Sequence, residues 1–279
     1  MSRTPFTEEQ IERYSRHILL PEVGGAGQRK LLASSAFVVG AGGLGSPALL
    51  YLAAAGVGRL GVADGDAVDL SNLHRQILHR VRDLGRNKAL SARDALRALN
   101  PDCEVDVVAE RLSAANVRRT LRGYDVVLDG SDNFPTRFLV ADCCRLEGIP
   151  LVSAAVIALE GQLMTILPGE GNSCYRCFLP EPPPPGLVPS CQEAGVLGAV
   201  AGVMGTLQAT EALKVLLGIG EVLSHRLLVY DAFEGRFRTA ERAPDPACPL
   251  CGEHPTITTL VEYPQAPCCA GGRCGPGGA

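Results

Sequence analysis

Four glycines, Gly40, Gly42, Gly43 and Gly45, follow a short apolar run and precede a helix-like stretch. Glycine suits such a turn because a side chain would block the tight bend and the approach of the backbone to phosphate oxygens. The N-terminus of the following helix would then attract the anion. This spacing predicts a nucleotide-binding turn, and its most frequent interpretation is a dinucleotide site in an oxidoreductase.

Three charged residues further along the chain indicate which nucleotide is bound. Asp64 ends the second predicted strand, where an acidic residue can accept hydrogen bonds from ribose hydroxyls, although a strand-end aspartate can also cap a turn. Arg75 and Lys88 follow on the phosphate side, unless they are solvated surface cations. A hydride-transfer cofactor does not need both cations. A triphosphate does, because cleavage between its α- and β-phosphates builds negative charge that fixed cations must stabilise.

A polar segment closes the fourth predicted strand at the same edge of the sheet and contains Asp132 and Asn133. Asp132 is placed to bind Mg²⁺, an ion that takes one or two carboxylates together with phosphate oxygens. The alternative is that one of these two residues caps the helix that follows. The segment therefore predicts a magnesium ligand, a helix cap, or one of each.

Two C-x-x-C pairs, Cys174 with Cys177 and Cys248 with Cys251, lie on either side of a long apolar stretch. Four thiolates complete a closed tetrahedral shell around Zn²⁺, which makes such a site structural. A redox C-x-x-C is the rival interpretation, but the presence of two pairs favours the metal.

A fifth cysteine, Cys191, follows a proline run at residues 182–185 and precedes the long apolar stretch. A thiol near the N-terminus of a helix has a lowered pKa and is a better nucleophile. A buried, unreactive cysteine is an equally good interpretation of this residue.

Composition excludes several classes of partner. The chain has 279 residues and a net charge of −4, and its basic residues are scattered, so neither nucleic acid nor a membrane surface is favoured.

The first ten residues contain no apolar signal segment, so we expect a cytoplasmic protein. The stretch 194–220 is apolar, but Gln208, Glu211 and Lys214 interrupt it, and we predict a buried helix.

Strands and helices alternate along the first part of the chain after an amphipathic helix at residues 8–19 and a Gly/Pro linker at 21–27. This pattern predicts an α/β fold: a Rossmann-like, doubly wound, mostly parallel sheet with ligands at the carboxyl ends of its strands. Additional, shorter strands are expected in the C-terminal half. The predicted strands are residues 36–40, 59–64, 104–109, 125–129, 151–154, 162–167, 225–230 and 236–240. The predicted helices between them are 45–55, 88–99, 114–121 and 135–147.

Seven ordered motifs, GAGGLGS, SNLHRQ, Lys88, DGSDN, CYRC, PSCQEAGV and CPLCG, resemble the ThiF/MoeB/HesA family, bacterial relatives of ubiquitin-activating enzymes. The resemblance implies an adenylyltransferase that uses MgATP to adenylate the C-terminal glycine of a ubiquitin-like, MoaD/ThiS-like sulfur carrier and releases pyrophosphate. Sulfur then displaces AMP to give a thiocarboxylate, in the synthesis of molybdopterin or thiamine or in tRNA thiolation. Such activation is needed because a free carboxylate is a poor acceptor.

The same resemblance implies roles for individual residues. Gly43 and Asp64 would bind adenosine, Asn72 would help to hold the nucleotide, Arg75 and Lys88 would bind the phosphates, and Asp132 would bind the magnesium ion. The remaining members of the predicted cofactor-binding set are Gly40, Gly42, Gly45, Ser71 and Asn133. Arg16 resembles an arginine that this family supplies to the ATP of the neighbouring subunit, so a homodimer is implied. Cys191 matches a cysteine that links covalently to the carrier or receives sulfur in several members, while other members work without it.

The family pattern divides residues 1–263, taken as one domain, into an N-terminal helix (7–20), a nucleotide-binding half (34–155) and a carrier-binding and zinc half (156–263). Residues 264–279 are predicted to form a flexible, Cys/Gly-rich tail, and a separate protein is expected to donate the sulfur. Two alternatives stay open: an NAD-dependent oxidoreductase on the same glycine turn, and a non-catalytic adaptor for ubiquitin-like proteins.

Overall fold

In the computed structural model, residues 5–184, 187 and 194–263 are described. The predictions for Cys191 and for the tail at 264–279 lie outside these residues. Within the described part of the chain, one sheet contains the strands β1 (Ser35–Val39), β2 (Arg59–Ala63), β3 (Glu104–Val108), β4 (Val126–Asp129), β5 (Leu151–Ile157), β6 (Glu160–Ile166), β7 (Arg226–Asp231) and β8 (Arg236–Glu241).

The sheet runs in the order β3-β2-β1-β4-β5-β6-β7-β8, and its first five strands are parallel. Strand β1 is paired with β2 on one side and with β4 on the other, in a register where Ala36 faces both Leu60 and Val126. The connections therefore change direction between β1 and β4. In an open parallel sheet, this change of direction leaves a crevice at the carboxyl ends of the two strands, where ligands bind.

Strands β6, β7 and β8 continue the same sheet in antiparallel fashion. Strand β5 extends to Ile157, beyond the predicted end at residue 154, because its second half pairs with β6 across a tight turn. The predicted fold, a doubly wound parallel sheet with antiparallel strands in the C-terminal half, is confirmed.

Helices cover both faces of the sheet. They are α1 (Glu8–Ile18), α2 (Gly24–Leu32), α3 (Gly45–Ala54), α4 (Lys88–Leu99), α5 (Val117–Leu121), α6 (Phe134–Glu147), α7 (Tyr175–Phe178) and α8 (Gly198–Leu217). Alternate residues of β1 point to opposite faces, so Ala36 and Val38 join the core under α3, α4 and α8, while Phe37 and Val39 join the core under α5 and α6. This two-sided burial explains why the parallel strands are continuously apolar.

Helix α8 has 20 residues and is long and apolar enough to cross a membrane by length and composition alone. It packs against α3 and against β4, β5 and β6, and Met204 is fully buried there. Its polar residues are used inside the protein: Gln208 Nε2 donates to the carbonyls of Asp129 and Val152, at 2.8 Å each. The predicted buried helix is thus confirmed.

The prediction of a linker at residues 21–27 is wrong from Gly24 onward, because helix α2 occupies Gly24–Leu32. Glycines disfavour a helix on propensity alone, so the sequence pattern pointed to a turn. Packing outweighs this preference: Leu31 and Gln28 are buried, and Lys30 Nζ donates to the carbonyl of Leu217 at the end of α8.

Candidate active site

The glycine turn connects β1 to α3 and lies at the crevice between β1 and β4. Gly40 has a φ of 90°, which favours glycine, and its N–H donates to the carbonyl of Ala63 at 2.8 Å. A methyl group on Gly45 would lie 1.8 Å from the carbonyl oxygen of Gly40, so the start of α3 touches the turn backbone directly. The turn therefore presents the N-terminus of α3 to the crevice, an arrangement suited to an anion.

The loop after β4 closes the other side of this crevice. Gly130 donates its N–H to the carbonyl of Val39 at 2.9 Å, and a methyl group on Gly40 would lie 3.0 Å from the carbonyl oxygen of Gly130. The two loops are thus in backbone contact. As a result, Gly130 and the N–H of Ser131 lie next to the glycine turn.

Asp64 braces the glycine turn from the end of β2. Its Oδ2 accepts the N–H of Ala41 at 2.9 Å, and its Oδ1 accepts the N–H of Asp66 at 2.9 Å. Burial raises the pKa of this carboxyl above its usual range, while nearby Lys88 and the two N–H donors oppose the rise. Asp64 thus has a structural role in the turn, and lone pairs of both carboxylate oxygens are left for a ligand.

His79 supports the same turn from the opposite side, which the sequence analysis did not anticipate. Its Nε2 lies 2.9 Å from the carbonyl oxygen of Ala41, and its Nδ1 lies 2.9 Å from Ser91 Oγ. Because a carbonyl only accepts, Nε2 carries the proton and Nδ1 accepts the Ser91 hydroxyl. Burial lowers the pKa of His79, which keeps the imidazole neutral in this position.

The two predicted phosphate-binding cations lie on different sides of the turn. Lys88 is the first residue of α4 and is only 7% exposed, and its Nζ is 3.5 Å from Asp66 Oδ2. Arg75 lies beside Gly43, since a methyl group on that glycine would be 3.5 Å from Arg75 Cγ. Arg75 therefore borders the turn, and Lys88 lies near Asp64, which binds the turn backbone. Phosphate binding by these two cations stays a prediction.

A short 3₁₀ turn, Leu70–Asn72, precedes Arg75 in the chain. Asp69 caps it by accepting the N–H and the hydroxyl of Ser71, at 2.8 and 2.6 Å. Asn72 Oδ1 accepts the N–H of Asp69 at 3.3 Å, and the carbonyl of Ser71 accepts Arg75 Nη1 at 3.1 Å. Ser71 and Asn72 thus fix the position of Arg75.

The loop after β4 separates the roles predicted for Asp132 and Asn133. Asn133 is the N-cap of α6, and its Oδ1 accepts the N–H of Thr136 at 2.9 Å. Asp132 is exposed and makes no cap hydrogen bond, so its carboxylate can face a ligand. The alternative in which one residue caps the helix and the other is available to a metal ion is the one that the geometry favours.

Arg16 is not near the glycine turn of its own chain. It is an exposed residue in the last turn of α1. Helix α1 packs near the amino end of β3, through the hydrogen bond of Gln10 to Asp102, and so lies at the end of the sheet opposite the crevice. There, the hydroxyl of Tyr14 accepts Asn100 Nδ2 at 2.8 Å, beside the C-terminal end of α4. Because Lys88 lies at the other end of α4, Arg16 cannot contact the nucleotide crevice of the same chain.

The four cysteines of the two C-x-x-C pairs meet in one cluster, with all sulfur atoms within 4.8 Å of one another. Cys174 Sγ is 3.9 Å from Cys177 Sγ and 3.5 Å from Cys248 Sγ, and Cys177 Sγ is 3.4 Å from Cys251 Sγ. Four thiolates around a tetrahedral zinc ion lie about 3.8 Å apart, given Zn–S bonds of about 2.3 Å. The spacing therefore fits a metal ion of this kind and is far too long for disulfides.

The surroundings of the cluster also suit a metal ion. Burial raises the pKa of Cys174, and burial raises the pKa of Cys251 to about 11. Burial also raises the pKa of Cys177, but hydrogen bonds to its sulfur lower that pKa by more, so the net shift is downward. One of these bonds comes from the N–H of Asp245, which lies 3.4 Å from Sγ. The raised pKa values favour neutral thiols at Cys174 and Cys251, so a cluster of four thiolates would require the positive charge of a divalent ion.

The comparisons with known proteins agree with this geometry. Residues 14–250 match the model of the ThiF family. The sulfur carrier protein adenylyltransferase of Thermus thermophilus is 52% identical over 262 residues, which cover 92% of this chain and 97% of that protein. The SAMP-activating enzyme E1 of Haloferax volcanii is 53% identical over 244 residues, or 88% of this chain and 90% of that one.

Among solved structures, E. coli MccB with AMPCPP and MccA is similar, with a TM-score of 0.76 at 22% identity over 89% of this chain and 75% of MccB. At that identity the similarity concerns the fold alone. A family match over most of the chain, and relatives that share half of its residues or more, show that the chain belongs to the ThiF family.

Proposed function

We propose that this protein is an ATP-dependent adenylyltransferase that joins AMP to the C-terminal glycine of a ubiquitin-like sulfur carrier. The observation that supports the proposal is the placement of two cations and a second loop around the glycine turn: Arg75 lies beside Gly43, Lys88 lies beside Asp66, and the loop after β4, which contains Asp132, contacts Gly40 through Gly130. The names of the two relatives, which concern sulfur carrier adenylylation and SAMP activation, support it.

In this proposal, the carrier carboxylate attacks the α-phosphorus of ATP, an acyl–phosphate bond forms, and the bond to pyrophosphate breaks. No proton has to move, because the attacking group is already a carboxylate and pyrophosphate leaves as an anion. Negative charge grows on the leaving phosphates, and Arg75 and Lys88 are placed to stabilise it. Lys88 then exchanges its contact with Asp66 for a phosphate oxygen.

The adenosine would lie towards the end of β2. Asp64 would accept the ribose hydroxyls while it keeps its hydrogen bond to Ala41, and the glycine turn would hold the phosphates through its N–H groups. Asn72 would complete the nucleotide contacts.

Asp132 and phosphate oxygens would hold a magnesium ion, with Asn133 shaping the loop as the helix cap. When bound, the ion neutralises charge on the triphosphate and keeps it aligned for displacement. Asp132 is an exposed residue, which would leave room for metal-bound waters.

The product adenylate would next be attacked by sulfur from a separate donor protein, which gives a thiocarboxylate and releases AMP. We propose that the carrier ends in Gly-Gly, as the resemblance to the ThiF/MoeB/HesA family implies. Cys191, as a possible acceptor of carrier or sulfur, stays a prediction.

We further propose a homodimer in which Arg16 completes the partner's nucleotide site. Its position at the end of the sheet opposite the crevice supports supply to another subunit. An Arg16→Ala protein mixed with a Lys88→Ala protein should regain activity, since hybrid dimers then contain one intact site. Failure to regain activity in a proven hybrid would remove the shared-site model.

The cysteine cluster is assigned a structural zinc ion, because four thiolates leave no open position for catalysis. A reducing cytoplasmic setting fits this assignment, since the described cysteines are free thiols.

The test is ATP–pyrophosphate exchange with candidate carriers that end in Gly-Gly. We expect exchange only when ATP, magnesium and a matching carrier are present. Carrier binding without exchange would indicate an adaptor, and NAD binding without exchange would indicate an oxidoreductase. Among the described residues, the glycine turn and Asp64 suit either enzyme, whereas an oxidoreductase would give Arg75, Lys88 and Asp132 no role.

A further inference from the structure

The two residues between Cys174 and Cys177 fasten the cysteine cluster to helix α6. Both Tyr175 and Arg176 are 4% exposed. Arg176 makes two parallel hydrogen bonds to Asp142 in the middle of α6, with Nε to Oδ1 at 2.8 Å and Nη2 to Oδ2 at 2.9 Å. Such a two-point, buried contact fixes orientation as well as distance.

Tyr175 contacts the same helix nearer to its start. Its ring packs edge-to-face on Phe138, with the ring centres 5.3 Å apart, and its hydroxyl faces the guanidinium of Arg137. Phe138 is fully buried and also carries the Arg176 guanidinium at 4.8 Å from its ring centre. The cluster and the first half of α6 are therefore one packed unit.

Arg137 connects this unit to the proposed magnesium loop. Its Nη2 donates to the carbonyl of Ser131 at 2.7 Å, directly before Asp132 in the chain. Its Nη1 donates to Ser153 Oγ at 3.2 Å and lies 3.6 Å from Asp129 Oδ2. Arg137 is only 7% exposed and contacts both Asp129 and Ser131, the two ends of a three-residue segment of this loop. The position of Arg137 therefore fixes the position of the loop.

We propose that Arg137 is a positioning residue that couples the cysteine cluster to the loop of Asp132, so that the occupied cluster strengthens binding of the magnesium–triphosphate. This inference rests on the proposed function, which places the ion at Asp132. Coupling between two sites is reciprocal, so the bound magnesium–triphosphate must also hold the metal ion more firmly in the cluster.

The first test uses Tyr175→Phe, which removes the hydroxyl that faces Arg137 and keeps the ring on Phe138. Binding of ATP is measured with magnesium and with a magnesium chelator. We expect the magnesium-dependent gain in affinity to fall about fivefold, the low end of typical coupling between sites. Affinity without magnesium should not change.

Tyr263→Phe is the matched control. The Tyr263 hydroxyl donates to Asp142 Oδ2 at 2.6 Å and accepts a hydrogen bond from Arg176 Nη2, so this variant removes one phenol hydroxyl from the Arg176–Asp142 contact and leaves Arg137 untouched. The control therefore separates the contact of Tyr175 with Arg137 from the contact of Arg176 with Asp142. We expect wild-type magnesium dependence in this control. Equal effects of the two variants, or no effect of Tyr175→Phe, would overturn the coupling.

The second readout is zinc release from zinc-loaded protein into a coloured chelator, with and without a non-hydrolysable ATP analogue and magnesium. The analogue should slow release from the wild type and from Tyr263→Phe, and slow it much less in Tyr175→Phe. Arg137→Lys, which keeps the charge but loses the two-point geometry, should show the larger effect. If that variant does not fold, Tyr175→Phe decides alone.

These readouts separate the inference from the proposed function. Coupling without carrier-dependent exchange in the wild type would leave the inference standing and overturn the adenylation. Carrier-dependent ATP–pyrophosphate exchange in the wild type, together with a zinc release rate that the ATP analogue does not change, would overturn the inference alone.

Discussion

Two glycines of the same turn should respond in opposite ways to one added methyl group. In Gly45→Ala, the methyl carbon would lie 1.8 Å from the carbonyl oxygen of Gly40, where an ordinary contact needs about 3.4 Å. The obstacle is backbone, so β1 and α3 must separate by roughly 1.5 Å, and we expect a loss of about 3 kcal/mol of unfolding free energy, the upper end for overpacking.

In Gly42→Ala, the nearest atom is Gln76 Nε2 at 3.7 Å, an ordinary contact. Folding stability should therefore stay within about 0.5 kcal/mol of the wild type or rise slightly, because alanine restricts the unfolded chain. The methyl group would lie between the turn backbone and Gln76, in the turn that is proposed to bind the phosphates. Losing one charge-assisted hydrogen bond of about 1.5–3 kcal/mol lowers ATP affinity roughly tenfold or more.

The assay pairs denaturant unfolding with calorimetric ATP binding on both variants. The expected pattern is a destabilised Gly45→Ala and a stable Gly42→Ala that binds ATP poorly. A stable Gly45→Ala would refute the close contact between the turn and α3. Normal ATP binding by a folded Gly42→Ala would refute the placement of the phosphates.

Three further changes test other parts of the site. In Asp64→Asn, the amide oxygen can accept only one of the two N–H groups that Asp64 binds, which costs about 1–3 kcal/mol of unfolding free energy. Loss of the buried charge offsets part of this cost at pH 7, because the folded pKa of Asp64 is raised and the ionised carboxyl loses stability as pH rises through that pKa. ATP affinity should also fall, and a fully stable variant that binds ATP normally would contradict this. For His79, the folded pKa is lowered, so the stability of the neutral ring is present above about pH 6.5 and lost as pH falls towards the folded pKa. His79→Gln should flatten that part of the stability–pH curve in thermal unfolding, and an unchanged slope would exclude His79 as its cause. Cys248→Ser should contain less zinc by elemental analysis and unfold at a lower temperature, as the wild type should in chelator; full stability without metal would rule out a structural site.

The sequence was sufficient for the sheet and for the cysteine cluster. Strands such as β1 and β4 are buried on both faces, so their apolar runs identify a parallel sheet directly. Two C-x-x-C pairs have few other uses, and their sulfur atoms do meet. In both cases the residue types alone carry the physical reason.

Other features depend on contacts that no sequence pattern encodes. His79 Nε2 donates to the carbonyl of Ala41, which lies 38 residues earlier in the chain. Nothing in the sequence distinguishes His79 from a surface histidine. Arg137 looks like an exposed helix cation but is buried by its bonds to the loop of Asp132. Helix α2 contains three glycines and forms because it packs on α8. Tertiary partners decide these three cases, and local propensity does not.

The most direct measurement follows radioactive phosphorus from ATP into the carrier protein in the presence of this enzyme, magnesium and no sulfur donor. Label in the α-phosphate should appear on the carrier as an acyl-adenylate, and label in the γ-phosphate should appear only in pyrophosphate. The carrier's terminal glycine should be required. Transfer of γ-label to the carrier, or no transfer from either position with a carrier that binds, would contradict the account.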